Sequence, residues 1–313
     1  MIVTAIILII INYQLIVWIQ YALFSSFLWA IVHILDEHCV DHIFSKPWLG
    51  VITSSGISAG IFLLVPFLHI PIIIPQWDVL LVCLFTGVII QLSQVYYFRA
   101  LDSSDSGTVS AYWNLTPTFL PVISYWLFGY LITGNNYIGI GLLLMASIGL
   151  CAIDKFESKW DTLYLMSIAA SIQTGVVLLE KYIFDRSDFF GAFLSITTGI
   201  FMTGLFSLGM REVRVSLVKD LPKIKAALPI FIIIELINWA ALYTGQSAVK
   251  MGVPSLVSAI EASIPAFAFG ISLTIAMLTH KVDLETKRKL PVKWAMVGLM
   301  MIGVWLIGAG IEA

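Results

Sequence analysis

The segment "LVSAIEASIPAFAFG", residues 256–270, holds one carboxylate, Glu261, among apolar, small and aromatic side chains. Ser258 lies three residues before it and Pro265 four after, so the three share one stripe of a helix. Pro265 also frees a backbone carbonyl one turn back, a polar feature tolerated only away from lipid. A second stripe sets Glu235, Asn238, Trp239, Leu242 and Gln246 at helical spacing, with Tyr243 beside it. Gln91 and Gln94 precede Phe98 on another face, Trp113 and Asn114 are adjacent, and Gln173 is in line with Glu180. In "WAIVHILDEHCVDH", residues 29–42, Trp29, His33, Asp36 and Glu37 share a face, and His38 and His42 form an i,i+4 pair.

These residue types suit ligand binding and proton movement. Amides orient a ligand, indole and phenol faces attract a cation by roughly 0.5–2 kcal/mol each, and a buried acid carries a proton or a counter-ion. Glu261 has two readings. It marks a pathway, the default for an ionisable group in a span, or it is a neutral acid bonded to a neighbouring helix, worth about 1–2 kcal/mol. Asn238, Trp239, Gln91, Gln94, Trp113 and Asn114 divide the same way. His33 either relays protons near neutral pH or bonds a neighbour. With Glu261 and Glu235, it completes the candidates for proton coupling. The Lys and Arg residues cluster at span ends, leaving the deep carboxylates without a fixed cation. Either they hold their protons, because desolvation penalises the charged form, or something positive visits them. The His38/His42 cluster has ligand types that suit zinc, but it sits at a span end, where solvated polar side chains are ordinary. No metal site is expected.

What must position these groups is a set of membrane helices. The chain is 59% hydrophobic and 12% charged, far from a water-soluble composition, and its apolar runs reach the roughly 20 residues a helix needs to cross hydrocarbon. A barrel would require alternating segments of about 10 residues, which are absent. Cutting at turn and charge clusters predicts ten spans: 17–38, 47–70, 76–100, 105–130, 133–153, 160–183, 189–210, 226–249, 254–279 and 290–311. The breaks are "IPIIIPQWD" (70–78), the tight turn "LITGNN" (131–136) and the basic, amphipathic "REVRVSLVKDLPKIK" (211–225). Residues 1–16 read as an extension of the first helix or a segment along the membrane, since they lack a signal peptide's basic start and cleavage site. Trp18, Trp48, Trp77, Trp160 and Trp294 fall near span ends, as an interfacial belt requires. Gly56 and Gly60 form a GxxxG, which predicts close helix packing. Cys39, Cys83 and Cys151 make no disulfide or zinc spacing. No P-loop, nucleotide fingerprint, nucleophile elbow or HExxH is present, so neither enzymatic activity nor a cofactor is expected. No basic block suits nucleic acid.

The chain repeats itself. "YYFRALDSSDSGTVSAYWNLTP" (96–117) lies over "TGQSAVKMGVPSLVSAIEASIP" (244–265) without a gap, matching Ala100 to Ala248, Val109-Ser110-Ala111 to Val257-Ser258-Ala259 and Pro117 to Pro265. Upstream, 27–39 lies over 171–183, pairing Asp36 with Glu180, and downstream 137–146 lies over 294–303. Two halves follow, 17–153 and 154–313, each of five spans. An odd number of spans inserts the second half from the opposite side, a recurring design of secondary transporters.

The paired segments "VSAYWNLTP" and "VSAIEASIP", each followed by a turn and a Gly-rich span, resemble the drug/metabolite transporter superfamily, specifically its EamA-type ten-helix members. The resemblance covers the chain from about residue 17 onward. It implies an all-α bundle of two inverted five-helix repeats around a central cavity, lined mainly by spans 1, 3, 4, 6, 8 and 9 and working by alternating access. The chain departs from relatives in "TGNN" after span 4, where many carry a Gly-Glu-Arg-like turn, and in the longer, basic loop after span 9. Loops after odd-numbered spans hold fourteen Lys/Arg against three on the other side, which puts both termini outside by the positive-inside rule, whereas family members commonly have them inside.

The expected function is secondary transport of a small amine-bearing, cationic or zwitterionic metabolite, coupled to protons or run as an exchange. The site residues would be Trp29, His33, Gln91, Gln94, Trp113, Asn114, Gln173, Glu235, Asn238, Trp239, Tyr243 and Glu261. A flippase for a lipid-linked sugar or phospholipid is an alternative that predicts a lateral opening and a basic patch, and a non-transporting membrane scaffold is another. The expected partners are that small molecule and membrane lipid. The expected location is the inner (plasma) membrane of a bacterium or archaeon. Substrate identity, direction and oligomeric state are not encoded in any of these patterns.

Overall fold

A computed structural model describes residues 2–46, 48–104, 106–129, 132–153, 160–279 and 284–309. Lys155, Lys159 and Lys281 of the basic loops lie outside them, as do Leu131 of the turn and the ends of the spans predicted at 105–130 and 290–311. Every regular element among the described residues is a helix. The first half contains α1 (Ile2–His42), α2 (Leu49–Ser58), α3 (Ile61–Leu68), α4 (Trp77–Leu101), α5 (Ser106–Trp113), α6 (Leu115–Phe128) and α7 (Gly134–Ile153). The second contains α8 (Trp160–Phe184), α9 (Phe189–Ser207), α10 (Arg211–Ala226), α11 (Leu228–Met251), α12 (Pro254–Glu261), α13 (Ile264–Leu278) and α14 (Leu284–Ala309). Nine stretches among the described residues are long and apolar enough to cross a membrane. The backbone of 2–16 runs without a break into the first of them.

Three predicted spans are interrupted, each for a chemical reason. Pro117 and Pro265 lack the amide hydrogen that would continue the helix ladder and crowd the carbonyl one turn back. The helix accordingly steps at Asn114 between α5 and α6, and at Ala262–Ser263 between α12 and α13. The span predicted at 47–70 divides at Ala59–Gly60 through a tight turn from Gly60 N–H to the Ile57 carbonyl, 2.7 Å. That break corrects the GxxxG reading. A Cβ added to Gly60 would lie 3.4 Å from the Trp239 ring, but nothing lies within 4 Å of where a Gly56 side chain would begin. The two glycines sit on either side of a bend and share no groove.

Close approach occurs elsewhere. Gly87 of α4 meets the Ile196–Ile200 backbone of α9, and Gly139 of α7 meets Gly303 of α14, the gap to the Gly303 carbonyl being only 2.8 Å from an added Cβ. In lipid, where helices gain no hydrophobic drive by associating, such contacts supply dispersion energy that bulkier residues would forfeit. Trp18 also departs from expectation. It is 2% exposed and stacks on the bare backbone of Gly252 instead of joining a belt, because a glycine there leaves room for an indole. Trp77, Trp160 and Trp294 are exposed.

The packing places α1 against α11, α4 against α8 and α9, α7 against α14, and α6 against α12. The segment at 211–225 is a helix, α10, laid between α9 and α11. It is tied down by Asp220, whose carboxylate accepts the Ser45 amide at 2.6 Å. Large apolar side chains such as Leu63, Phe67, Trp126, Met145 and Trp305 face outward, the arrangement expected where the surrounding solvent is hydrocarbon.

Candidate functional site

Between these helices lie two adjoining chambers. The first, about 810 Å³ with the solvent at its mouth included, lies among α1, α2, α4, α9 and α11. The second, about 750 Å³ counted the same way, lies among α1, α4, α5, α6, α8, α11, α12 and α13. Trp29, Ile90, Gln94 and Leu242 line both and form the partition between them.

In the first chamber Glu235 is 2% exposed, yet its carboxylate is supported. Ser54 donates to Oε2 at 3.1 Å and Asn238, three residues along the same helix, donates to Oε1 at 3.4 Å. Trp239 and Gln91 line the same space, and Gln91 Oε1 is buried without a hydrogen-bond partner. Asp36 faces this chamber as well, and its Oδ2 accepts from the Tyr97 hydroxyl at 3.4 Å.

The second chamber has a parallel design. Glu261 ends α12 at the proline-induced step, which turns its carboxyl inward instead of along a continuous helix surface. Glu180 of α8 faces it, accepting from Gln246 Nε2 at 2.8 Å, and two negative charges at these positions would repel. His33 pairs its Nδ1 with the Ser110 hydroxyl at 3.2 Å. A row of rings runs beside it: Trp29 to His33 at 6.1 Å, His33 to Tyr97 at 5.3 Å, and Tyr97 stacked on Trp113 at 5.8 Å. Asn114 and Gln173 line this chamber, although the Asn114 amide is also engaged with Ser147 Oγ on α7 at 2.6 Å. Ser258 Oγ faces in with no partner.

The fold therefore gathers the candidates on α1, α4, α5, α8, α11 and α12 around two adjoining spaces, with one exception. Tyr243 faces away from both, its ring edge-on to Phe189 at 5.4 Å and Phe193 at 6.2 Å. One residue of difference from Leu242 turns it about 100° around the helix. Asp36, Glu180, Tyr97, Ser54, Ser258 and Gln246 join the site without standing among its predicted residues. The alignment of Asp36 with Glu180 was the available signal for the two acids. His38 and His42 stack at 4.5 Å on the exposed end of α1, and among the described residues no three His, Cys, Asp or Glu side chains converge as a metal site. No Lys or Arg lines either chamber among the described residues.

No curated protein matches this chain. A crystal structure of another protein, 13% identical, aligns with a TM-score of 0.58 over 93% of this chain and 94% of that one, a likeness of fold. Residues 16–152 match the model of the EamA-like transporter family. With nine long apolar helices among its described residues the chain is an integral, multi-pass membrane protein, and over residues 16–152, under half of its length, it matches the EamA-like transporter family of the drug/metabolite transporter superfamily.

Proposed function

We propose that the protein is a secondary transporter of a small amine-bearing, cationic or zwitterionic metabolite, exchanging it against protons or another cation by alternating access. The observation that carries this reading is the sign of the chamber walls. Asp36 and Glu235 line one, Glu180 and Glu261 the other, and among the described lining residues the one basic side chain is His33. A buried carboxylate without a fixed cation favours either a proton or a positive ligand, and exchange between the two is the simplest use of that choice.

In this reading the broken pair α5–α6 is a tenth crossing, and the chain is two inverted five-helix halves around the chambers. The packing supports it. α1 against α11 is matched by α8 against α4, α1 against α12 and α13 by α8 against α5 and α6, and α7 packs on its own counterpart α14. The steps at Asn114 and Ala262 also fall at aligned positions of the two repeats. Partition residues Gln94 and Leu242 align in the same way, as expected of a septum on the pseudo-twofold axis. We place the protein in the inner membrane of a bacterium or archaeon. The flippase alternative lacks the cations a phosphate would need inside the chambers.

The test begins with a thermal-shift screen of purified protein against amines, amino acids, choline-like compounds and phospholipids. A ligand specific to the folded form raises stability by about 2.7 kcal/mol at 100 times its Kd. Uptake of the best hit into proteoliposomes should depend on pH in the native protein. Glu261→Gln should lose that dependence while remaining folded. Uptake by Glu261→Gln that tracks pH as before would remove this residue from coupling, and the absence of saturable flux for every hit would end the transporter reading.

A further inference from the structure

Helix α10 and the crevice beneath it are not used by either chamber. The crevice encloses about 560 Å³, open side included, between α2, α9 and α10, and is walled by Ile52, Thr53, Gly56, Leu205, Leu208 and Leu217 among others. Its surface is apolar even at Thr53, whose hydroxyl is turned away to donate to the Leu49 carbonyl at 2.9 Å. Gly56, with nothing within 4 Å of a would-be Cβ, keeps it open. α2 is the wall between two spaces, with Ser54, Ile57 and Ser58 toward the first chamber and Ile52, Thr53 and Gly56 toward the crevice.

The helix over this crevice is basic. Arg211, Arg214, Lys219, Lys223 and Lys225 are all exposed, and none forms an ion pair among the described residues. Its acids are Glu212 and the buried Asp220, already bonded to Ser45. Arg214, Leu217, Leu221 and Lys225 recur at intervals of three and four residues, so one stripe of α10 carries two leucines between two cations. Leu217 is a crevice residue, and Arg214 Nη1 donates to the Leu208 and Gly209 carbonyls at 2.8 Å each, which fixes its guanidinium at the crevice mouth beside Leu208. Leu221 is exposed within this stripe, and Val215 and Val218 are exposed next to it. Both ends of α10 lead into membrane-crossing helices, so it lies along one membrane face, where an amphipathic basic helix meets headgroups and the upper acyl region.

We propose that this is a binding site for one anionic phospholipid, with an acyl chain in the crevice over Gly56 and the phosphate at Arg214 at the crevice mouth; Lys225, about 16 Å further along the stripe, adds only to the positive field of the helix. The apolar slot and the adjoining uncompensated cations together match a ligand with an oily tail and a negative head, and neither alone would. The site is separate from the transport reading and stands without it.

Native mass spectrometry of the detergent-purified protein, titrated with dioleoylphosphatidylglycerol or dioleoylphosphatidylcholine, tests this directly. One phosphatidylglycerol should be retained in preference to phosphatidylcholine. Arg214→Gln should cut that preference by about fivefold, whereas Lys219→Gln/Lys223→Gln on the opposite flank should leave it. Gly56→Leu, which has room for its Cβ and is checked for folding by size exclusion, should lose the retained lipid of either headgroup. Glycerol 1-phosphate, a head without a tail, should not be retained. Equal retention of the two lipids by the native protein, full retention by folded Gly56→Leu, an equal loss from Arg214→Gln and from Lys219→Gln/Lys223→Gln, or tight binding of glycerol 1-phosphate would each overturn the proposal. Should Gly56→Leu fail to fold, Leu205→Trp at the crevice rim takes its place with the same expected loss.

Discussion

Replacing Gly87 with alanine should destabilise the protein, although the same change in most helices does the reverse. A Cβ on Gly87 would lie 2.6 Å from Ile200 N and 2.8 Å from the Gly199 carbonyl carbon, and closer still to the Ile196 carbonyl oxygen. All three are backbone atoms of α9, so no side chain can rotate away. Bringing even the 2.6 Å approach to an ordinary contact of 3.4 Å parts α4 and α9 by about 0.8 Å, and the closer Ile196 oxygen demands more, which loosens every neighbouring contact along that seam. Overpacking of this kind costs about 1–3 kcal/mol, set against the roughly 0.5–1 kcal/mol by which alanine favours a helix over glycine. The net loss is about 1 kcal/mol at the middle of these ranges and at most about 2.5 kcal/mol. Gly141, on α7 with nothing within 4 Å, is the internal control, where alanine should stabilise by up to about 1 kcal/mol. Thermal unfolding in detergent, followed by intrinsic fluorescence, reads both signs in one experiment. Gln91 and Gln94 lie one and two turns beyond Gly87 on α4, so any uptake activity should fall along with stability in Gly87→Ala. A Gly87→Ala protein as stable as Gly141→Ala would refute the close approach on which the chamber geometry rests.

Two further substitutions probe buried hydrogen bonds. Asp220→Ala removes the acceptor of the Ser45 amide and should cost about 1–3 kcal/mol in chemical denaturation, with Asp220→Asn recovering part of it through its amide oxygen. Gln246→Leu strips Glu180 of its 2.8 Å donor and should cost a similar amount, whereas Gln246→Leu combined with Glu180→Leu should be milder, because replacing both partners with apolar groups leaves nothing unsatisfied. A double variant no more stable than the single one would show that this pair does not hold α8 to α11.

Some of this architecture is readable one segment at a time. A crossing helix announces itself through some twenty consecutive apolar residues, and a freed carbonyl through Pro265, because backbone hydrogen bonding is settled within a turn or two, but the spans at 105–130 and 254–279 read as continuous and their steps at Asn114 and Ala262 emerged only in the structure. Glu235 and Glu261 are conspicuous for the same reason, since a carboxylate in an apolar run is costly wherever the helix turns. The division at Ala59–Gly60 carried only a glycine as its sign, and a GxxxG pattern reads identically whether its helix is straight or bent. Tyr243 shows the limit from the other side. It lies next to a chamber residue in sequence, and the ring's direction followed from the packing of α9 on α11, which no spacing within α11 reveals.

By itself the chain's amino-acid order determined that this is a helical membrane protein with acids inside its spans, since hydropathy is a property of contiguous residues. Only the tertiary structure decided that those acids divide between two chambers, Asp36 with Glu235 and Glu180 with Glu261, and that Gly56 opens a crevice outside them. Each of those pairings joins residues from different helices, and the facing of one helix toward another depends on how all the side chains between them pack.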